Sequence, residues 1–272
     1  MPNTLEVQSA HVRFNQGTPN EVYALRGASL DLAAGTFVTI VGSNGAGKST
    51  LTNVIAGSVM PSAGTVRIHG KDVTRLPDYR RSRWVARVFA DPLAGTVPDM
   101  TIEDNLSLAM ARGRRRTLHA ANSRRKRAST MEALSVLGLE LEHRLDENVG
   151  RLSSGQRQSL TLAMACATTP DILILDEHLS ALDPITRERL TDLTVRVART
   201  AGCVTVMVTH SMEDAVRLGD QLLVMHEGQI VASFTGDEKS ALSVASLLEK
   251  IQLAGAHLGD RSLLDVSNKG KM

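Results

Sequence analysis

The chain of 272 residues is 42% hydrophobic and 22% charged, and its formal net charge is +2. This length is sufficient for one large domain or for a core with a subdomain. Aromatic residues make up only 3% of the chain, which argues against a surface that binds nucleic acid by stacking bases on aromatic rings. The small net charge gives the molecule as a whole no strong attraction to polyanions, and no nucleic acid partner is expected.

No stretch of the sequence predicts a signal peptide or a membrane span. The segment MPNTLEVQSA lacks a basic region followed by an apolar one, and no run approaches about 18 apolar residues. Cys166 and Cys203 lie in apolar stretches, so we expect two buried thiols rather than a disulfide or a metal site. We expect a cytoplasmic protein that reaches the inner face of a membrane only through a partner.

Residues 112–127, RGRRRTLHAANSRRKR, have a strong local charge. They contain eight Lys and Arg residues and no acidic residue, and removing these eight charges from the net +2 leaves −6 on the rest. The segment is either a solvated helix and loop surface or a contact for a membrane surface or an acidic partner segment.

Strands and helices alternate along most of the chain. LEVQSAHVRF predicts a strand, FVTIV a buried strand, KSTLTNVIAG a helix and GTVRIHG another strand. Helical patterns follow in TIEDNLSLAMARG, STMEALSVLGL and SSGQRQSLTLAMACATT.

The second half of the chain continues the alternation. ILILDE and CVTVMVTH predict buried strands, RERLTDLTVRVART and MEDAVRLG helices, QLLVMHEGQIVAS a hairpin turning at Glu227 and Gly228, and SALSVASLLEKIQ a last helix. Residues from about 256 to 272 have the composition of a polar tail. The order predicts an α/β fold with a helical subdomain inserted at about residues 90–166.

GSNGAGKST, residues 42–50, is the strongest motif in the sequence. It fits G-x-x-x-x-G-K-[ST], follows an apolar strand and opens a helix, as a phosphate-binding P-loop requires. Its N–H groups and the helix N-terminus would bind phosphate oxygens, Lys48 would bridge the β- and γ-phosphates, and Ser49 would ligate Mg²⁺. The predicted nucleotide-binding residues are Gly42, Ser43, Asn44, Gly45, Ala46, Gly47, Lys48, Ser49 and Thr50.

ILILDE, residues 172–177, is an apolar strand that ends in two acids. Asp176 at the strand end can hold Mg²⁺, and Glu177 can polarise a water molecule for attack on the γ-phosphate. Together with the P-loop, this pair predicts a P-loop NTPase that binds ATP.

A third group of motifs resembles the nucleotide-binding subunits of ABC transporters. LSSGQ (152–156) is similar to the signature of that family, usually Leu-Ser-Gly-Gly-Gln. SALD (180–183) matches the loop after the catalytic acid, and His210 in MVTHSMEDA matches the switch histidine. The resemblance covers roughly residues 4–238 and implies a P-loop NTPase core with an ABC-type β subdomain, followed by a C-terminal helix and polar tail at 239–272.

The resemblance implies a mechanism in which two such domains pair head to tail. Each ATP would lie between the P-loop of one subunit and the signature residues Ser153, Gly155 and Gln156 of the other, and Asp183 would link the two sites. His210 would hold the γ-phosphate and the attacking water. Phe14 is the best match to the aromatic residue that stacks on adenine, with Tyr23 the alternative; ordinary core packing is the other interpretation of Phe14.

Two positions depart from the family pattern. Ser154 stands where glycine is usual, and we expect this change to be tolerated because Ser153 and Gly155 remain. In VFADPL (88–93), Ala90 stands where the family has a glutamine that touches the metal, and alanine offers no ligand. The adjacent Asp91 points the other way in an extended backbone, so it does not replace the glutamine. ATP binding should survive, with slower or weakly coupled hydrolysis by Glu177.

The leading functional hypothesis is the ATPase subunit of an ABC transporter. Such a subunit needs a paired ATPase subunit, identical or not, and a separate integral membrane permease. The layout resembles importers, which also use an extracytoplasmic solute-binding protein. The alternative is a soluble ABC ATPase that acts in assembly or regulation without transport. A role in translation or DNA repair has only the basic run as support.

Overall fold

The computed structural model describes residues 3–113, 127, 130, 131, 134, 135 and 141–253. The chain divides into two compact units. The first unit contains Met1–Arg81 and Val204–Met272, and the second unit contains Ser82–Cys203. Most of the helix predicted in STMEALSVLGL, the interior of the basic run, and the polar tail lie outside the described residues.

The elements follow each other in the predicted alternation. The first unit begins with β1 (Asn3–Phe14), β2 (Val22–Ala33), β3 (Phe37–Val41), α1 (Lys48–Ala56), β4 (Ala63–Ile68), β5 (Lys71–Asp72) and α2 (Asp78–Arg81). The second unit has β6 (Val85–Val88), a 3-10 turn at Pro92–Gly95, α3 (Ile102–Met110), 3-10 turns at Leu141–His143 and Val149–Arg151, α4 (Ser154–Cys166), β7 (Ile172–Asp176) and α5 (Pro184–Ala201). The first unit ends with β8 (Val204–Val208), α6 (Met212–Arg217), β9 (Gln221–His226), β10 (Gln229–Thr235), α7 (Gly236–Ser240) and α8 (Val244–Leu253).

The first unit pairs its strands in two groups. β2, β1, β4 and β5 form an antiparallel sheet in this order. β3 pairs in parallel with both β8 and β9, and β9 forms an antiparallel hairpin with β10. All residues of β3 and β8 are buried, as expected for strands of a parallel sheet that is covered on both faces. Glu227 and Gly228 form the hairpin turn, as predicted.

Arg81, a fully buried side chain, fixes the helix that follows the P-loop. Its guanidinium donates hydrogen bonds of 2.6–3.0 Å to the carbonyl groups of Val54, Ile55, Thr74 and Leu76. Burial lowers the pKa of Arg81 to about 10, so the group remains charged at neutral pH. A buried charge needs such partners, and here they join α1 to the segment after β5.

The C-terminal helix belongs to the core of the first unit. Leu247 and Ile251 of α8 pack in one cluster with Val41 at the end of β3 and with Met212 and Ala215 of α6. A short helix in the polar sequence GDEKS, α7, precedes α8 and was not predicted. No described helix combines the length and the apolar content that crossing a bilayer demands.

The second unit is organised around α4, which contacts α3, α5, β6 and the turn at Pro92–Gly95. The two end arginines of the basic run have internal partners. Arg112 donates to the carbonyl of Ala165 at 2.7 Å and to the hydroxyl of Thr168, and Arg127 forms ion pairs with Glu103 and Asp146. These two positions therefore have structural roles.

Cys166 and Cys203 are thiols that are not joined in a disulfide, and only one of them is deeply buried. Cys203 is 5% exposed, whereas Cys166 is partly exposed at the end of α4. The prediction of buried thiols therefore holds fully for Cys203, whereas the Cys166 residue is partly exposed even though its thiol is buried enough for its pKa to rise.

Candidate nucleotide-binding and catalytic site

The P-loop leaves the carboxyl end of β3 and leads directly into α1. A side chain at Gly47 would put its Cβ 2.6 Å from the carbonyl oxygen of Ala24, and φ is +98°. A Cβ at Gly42 would lie 2.2 Å from the carbonyl oxygen of Met225. Gly228 in the β9–β10 turn donates a 3.0 Å hydrogen bond to the carbonyl of Ala46. The hairpin turn thus holds the P-loop in place, a contact that the sequence motif did not reveal.

The Lys48 side chain is buried and folds back over the P-loop. Its ammonium group donates to the carbonyl groups of Gly42 at 2.7 Å and Ser43 at 3.0 Å. α1 begins with Gly47 as N-cap, and no side chain caps this N-terminus. A loop of this kind, with a lysine ammonium and a helix N-terminus at one place, is a binding site for phosphate.

His210 lies at the same edge of the parallel sheet as the P-loop. β3 and β8 pair in register from Phe37 with Thr205 to Ile40 with Val208, and Thr209 donates to the carbonyl of Ile40 at 3.2 Å. His210 directly follows this contact and precedes Ser211, the N-cap of α6. The first unit therefore places the P-loop and His210 after the carboxyl ends of neighbouring strands.

Phe14 is the last residue of β1, and its side chain is 40% exposed. Tyr23 is the alternative. The guanidinium of Arg13 lies 4.0 Å from the centroid of the Tyr23 ring, and that of Arg26 lies 5.4 Å from it. Because cations already lie on the Tyr23 ring, Phe14 is the better candidate to stack on an adenine base.

Asp176 and Glu177 follow β7 in the second unit. Asp176 ends the strand, and Glu177 has a φ of +53°, a left-handed conformation that is uncommon for a residue with a side chain. Such conformations persist where the surrounding structure enforces them, and they occur often at functional sites. The conformation sets the direction in which the Glu177 carboxylate leaves the strand end.

Ala90 follows β6, the strand that pairs in parallel with β7. The register of this pairing ends with Val88 opposite Leu175, so Ala90 lies two residues past the end of the ladder, as Glu177 does on the side of β7. The Gln158 side chain is 1% exposed, and its amide donates a 2.9 Å hydrogen bond to the carbonyl of Phe89. This hydrogen bond ties the backbone next to Ala90 to α4, the helix that begins at the signature motif.

Arg87 was not identified from the sequence. In β6 it pairs with Ile174, and its Nη2 atom lies 2.5 Å from Oδ2 of Asp176, two residues further along β7. The guanidinium also lies 4.7 Å from the centroid of the Phe89 ring. The signal was present as an arginine at the end of an apolar strand, but its partner is distant in the chain.

The signature residues also close the start of α4. The Ser153 hydroxyl accepts a hydrogen bond from the Gln156 N–H at 3.2 Å, and the Gln156 side chain accepts one from the Ser153 N–H at 3.1 Å. This capping box satisfies two N–H groups, while the Ser153 hydroxyl proton can still be donated. A Cβ at Gly155 would lie 2.3 Å from Cγ2 of Thr186, whereas Ser154 is exposed.

Asp183 is the N-cap of α5 and accepts a hydrogen bond from the Thr186 N–H at 3.1 Å. Hydrogen bonds from Thr186 lower the pKa of Asp183. The side chain thus stays ionised at neutral pH and fixes the loop after Glu177.

The oxygen donors of Ser49 and Asp176 have the hard chemistry that Mg²⁺ prefers. No cluster of three or more His, Cys, Asp or Glu side chains suited to a metal occurs among the described residues. In general Mg²⁺ takes few protein ligands and completes its shell with phosphate and water. Each of the two side chains, taken by itself, therefore has a chemistry that fits the ion.

The parallel strands, the P-loop that follows β3 and the acids that follow β7 define a P-loop NTPase. Residues 25–180 match the family model described as ABC transporter. The chain belongs to the ABC transporter family, as an ATP-binding subunit with ATPase activity.

Known relatives include subunits of several transport systems. The chain is 41% identical over 239 residues to the tyrosine transport ATP-binding protein of Clostridioides difficile, covering 88% of this chain and 94% of that protein. It is 36% identical over 215 residues to the sulfate/thiosulfate import ATP-binding protein CysA 2 of Chromobacterium violaceum, covering 79% of this chain and 55% of that protein.

A solved structure of the same family matches the fold. The dimeric ATP-binding cassette MJ0796, in a post-hydrolysis state bound to ADP and Pi, superposes with a TM-score of 0.72 at 27% identity. The match covers 85% of this chain and 98% of that chain. The predictions of an α/β P-loop NTPase fold and of an ABC ATPase are confirmed.

Proposed function

We propose that this ATPase powers an importer of a small solute. The observation that carries the proposal is the 41% identity to a tyrosine transport subunit along 94% of that protein. A full importer would add a second ATPase subunit, a membrane permease and an extracytoplasmic solute-binding protein. The permease would hold the ATPase at the cytoplasmic face of the membrane.

In this mechanism the P-loop and the N-terminus of α1 bind the ATP phosphates, and Lys48 neutralises their charge. Ser49 and Asp176 would hold Mg²⁺, which would offset charge on the transferring phosphoryl group. Glu177 orients the attacking water, and His210 fixes the γ-phosphate. Ser153, Gly155 and Gln156 of a second subunit would close the site, while Phe14 stacks on adenine.

Three exposed apolar side chains of the second unit support a permease partner. Leu93, Val97 and Met100 are large apolar side chains between 36% and 46% exposed. They lie within ten residues after Ala90 in the chain. We propose that the permease contacts these side chains, so that its movement would reach the nearby loop at Ala90.

The cargo that we propose is an amino acid. The support is the name of one relative, a tyrosine transport subunit. Transport of labelled amino acids by the complete system in vesicles would test this assignment, with sulfate as the competing substrate class. Uptake of sulfate but of no amino acid would contradict it.

A soluble ABC ATPase without transport is the second candidate, and Ala90 is the observation that favours it. The usual glutamine at this position moves with the helical subdomain, so its loss weakens the link to a permease. Co-purification of the chain with a membrane protein would separate the two functions.

The first prediction concerns hydrolysis and Ala90. The wild-type protein should hydrolyse ATP slowly, and Glu177→Gln should abolish turnover while keeping ATP binding. Ala90→Gln should raise turnover about 10-fold, because a side chain that orients the metal and the water lowers the activation barrier by about 1.4 kcal/mol. Phosphate release and equilibrium ATP binding are the measurements.

The matched control for Ala90→Gln is Asp91→Asn, which changes the adjacent residue and keeps the loop length. If turnover and transport coupling were the same for Ala90→Gln and the wild type, the assigned effect of Ala90 would be wrong.

A further inference from the structure

We propose that Arg87 is a positioning residue that competes with Mg²⁺ for the carboxylate of Asp176 and so controls metal binding at the nucleotide site. This inference rests on the proposed function, because Asp176 is assigned as a metal ligand there. It adds a residue that neither the sequence motifs nor the assigned mechanism includes.

The contact between the two side chains is short and poorly hydrated. Nη2 of Arg87 lies 2.5 Å from Oδ2 of Asp176, and the side chains are 16% and 13% exposed. A charge-assisted hydrogen bond at such a site is stronger than one in water. Oδ2 is therefore occupied by a cation that the protein itself supplies.

The strand register explains why the two groups meet. Arg87 pairs with Ile174 in the parallel β6–β7 ladder, and residues two apart on a strand lie on one face. Arg87 of β6 and Ile174 and Asp176 of β7 consequently share a face, and Phe89 directly follows β6. The Phe89 ring, 4.7 Å from the guanidinium, adds a cation–π contact that holds Arg87 over the carboxylate.

A divalent cation and a guanidinium on the same carboxylate oxygen are competing ligands. Mg²⁺ that binds Oδ2 must displace Arg87, and this displacement costs the free energy of the ion pair. Because the two ligands compete, a change that weakens the ion pair raises the affinity of Asp176 for Mg²⁺ by the same factor. At Ala90 the loop offers no side-chain oxygen to Mg²⁺, so the competition at Asp176 has a larger effect on the metal.

The test measures Mg²⁺-dependent nucleotide binding rather than turnover. Fluorescent mant-ADP is titrated into wild-type protein and the Arg87→Met variant without Mg²⁺ and at increasing Mg²⁺. The concentration of Mg²⁺ at half-maximal enhancement should fall at least about 5-fold in Arg87→Met, while binding without Mg²⁺ stays unchanged. Arg87→Lys keeps the charge and should shift it less.

Arg83→Met is the matched control, because Arg83 is an exposed arginine four residues earlier whose guanidinium lies 4.4 Å from the Trp84 ring centroid. It should bind Mg²⁺ like the wild type. If Arg87→Met misfolds, as a melting curve would show, Arg87→Gln keeps a hydrogen-bond donor without the charge and should give the same shift.

An unchanged or weaker Mg²⁺ response in Arg87→Met or Arg87→Gln would overturn the inference. Failure of the wild type to bind mant-ADP at any Mg²⁺ concentration would instead overturn the proposed function, so the two failures are distinguishable.

Discussion

Gly47 occupies a position in the P-loop where one extra carbon atom meets the backbone of another strand. Gly47→Ala should lower the free energy of unfolding by about 3 kcal/mol, since it adds overpacking to left-handed backbone strain. Gly45→Ala is the matched control in the same loop. Its φ is +79° with no atom within 4 Å, so it carries only the strain of about 1–2 kcal/mol. Urea unfolding measures both, and equal losses would contradict the contact with Ala24.

Cys166 provides a pH-dependent prediction at the same scale. Burial raises the pKa of its thiol to about 12, with Cys203 adding to the shift and Arg112 opposing it. At pH 8 iodoacetamide should label native Cys166 about 1000-fold more slowly than an ordinary thiol, because only the thiolate reacts. Peptide mass spectrometry of native and urea-unfolded protein measures this, and rapid native labelling would contradict it.

The raised pKa of Cys166 also determines whether the free energy of unfolding rises or falls with pH. The folded protein keeps the Cys166 proton up to about pH 12, whereas an unperturbed thiol loses it near 9.0. Between these values the folded state binds more protons than the unfolded state. The free energy of unfolding should therefore fall as pH rises from 9 towards 12.

Some site residues could be predicted from the sequence, and others could not. The P-loop was predictable because its chemistry lies within nine consecutive residues that follow a strand and open a helix. The Arg87–Asp176 contact was not, since the two residues are 89 positions apart and meet only through the register of β6 and β7. The assignments of Phe14, Ser153 and His210 to ATP stay predictions.

At the scale of elements, α7 and α8 contact α6 and stabilise its position. The buried Lys239 side chain of α7 donates a 2.7 Å hydrogen bond to the carbonyl of Val216 at the end of α6, and burial lowers the pKa of Lys239. α6 starts directly after His210. The C-terminal segment thus supports the helix that positions the predicted switch histidine.

Lys239→Met should therefore loosen α6 without unfolding the protein. Loss of the donor leaves the Val216 carbonyl without this partner, at a cost of about 1–3 kcal/mol. Hydrogen exchange of residues 212–218 should accelerate accordingly, and ATP turnover should fall with little change in KM. Lys250→Met is the control, because Lys250 is exposed and pairs with Glu238 at 3.1 Å. Unchanged exchange in α6 would contradict this role.

Elements with strong apolar patterns were predicted well, and short polar ones were not. FVTIV, ILILD and VTVMV are short apolar runs rich in β-branched residues, a pattern that favours a buried strand, and all three are strands. GDEKS has no apolar period, and its helix forms because Lys239 reaches Val216 and Leu242 reaches the core cluster. Tertiary contacts of that kind leave no local pattern.

At the scale of the whole molecule, the head-to-tail pairing predicts complementation between two inactive variants. Lys48→Ala removes the P-loop lysine, and Ser153→Arg blocks the signature. A mixed dimer keeps one site with an intact P-loop from one subunit and an intact signature from the other. An equal mixture should therefore regain up to about a quarter of the wild-type ATPase activity.

Each variant assayed alone is the control and should be inactive. Phosphate release at equal total protein concentration is the measurement. If the mixed sample were as inactive as its components, each site would belong to a single subunit, and the head-to-tail dimer would be wrong.

The hydrogen bond from Gln158 to Phe89 has an evolutionary consequence. Its acceptor is a main-chain carbonyl, which every amino acid supplies, so mutations at neighbouring position 90 leave it intact. Thr161, on the same helix, lies close against Gly95 in the turn that follows. A lineage can thus replace the residue at position 90 and still inherit a joined loop and signature helix. The atoms that join the loop to this helix are encoded at positions 158 and 161, so selection against change should act at these positions.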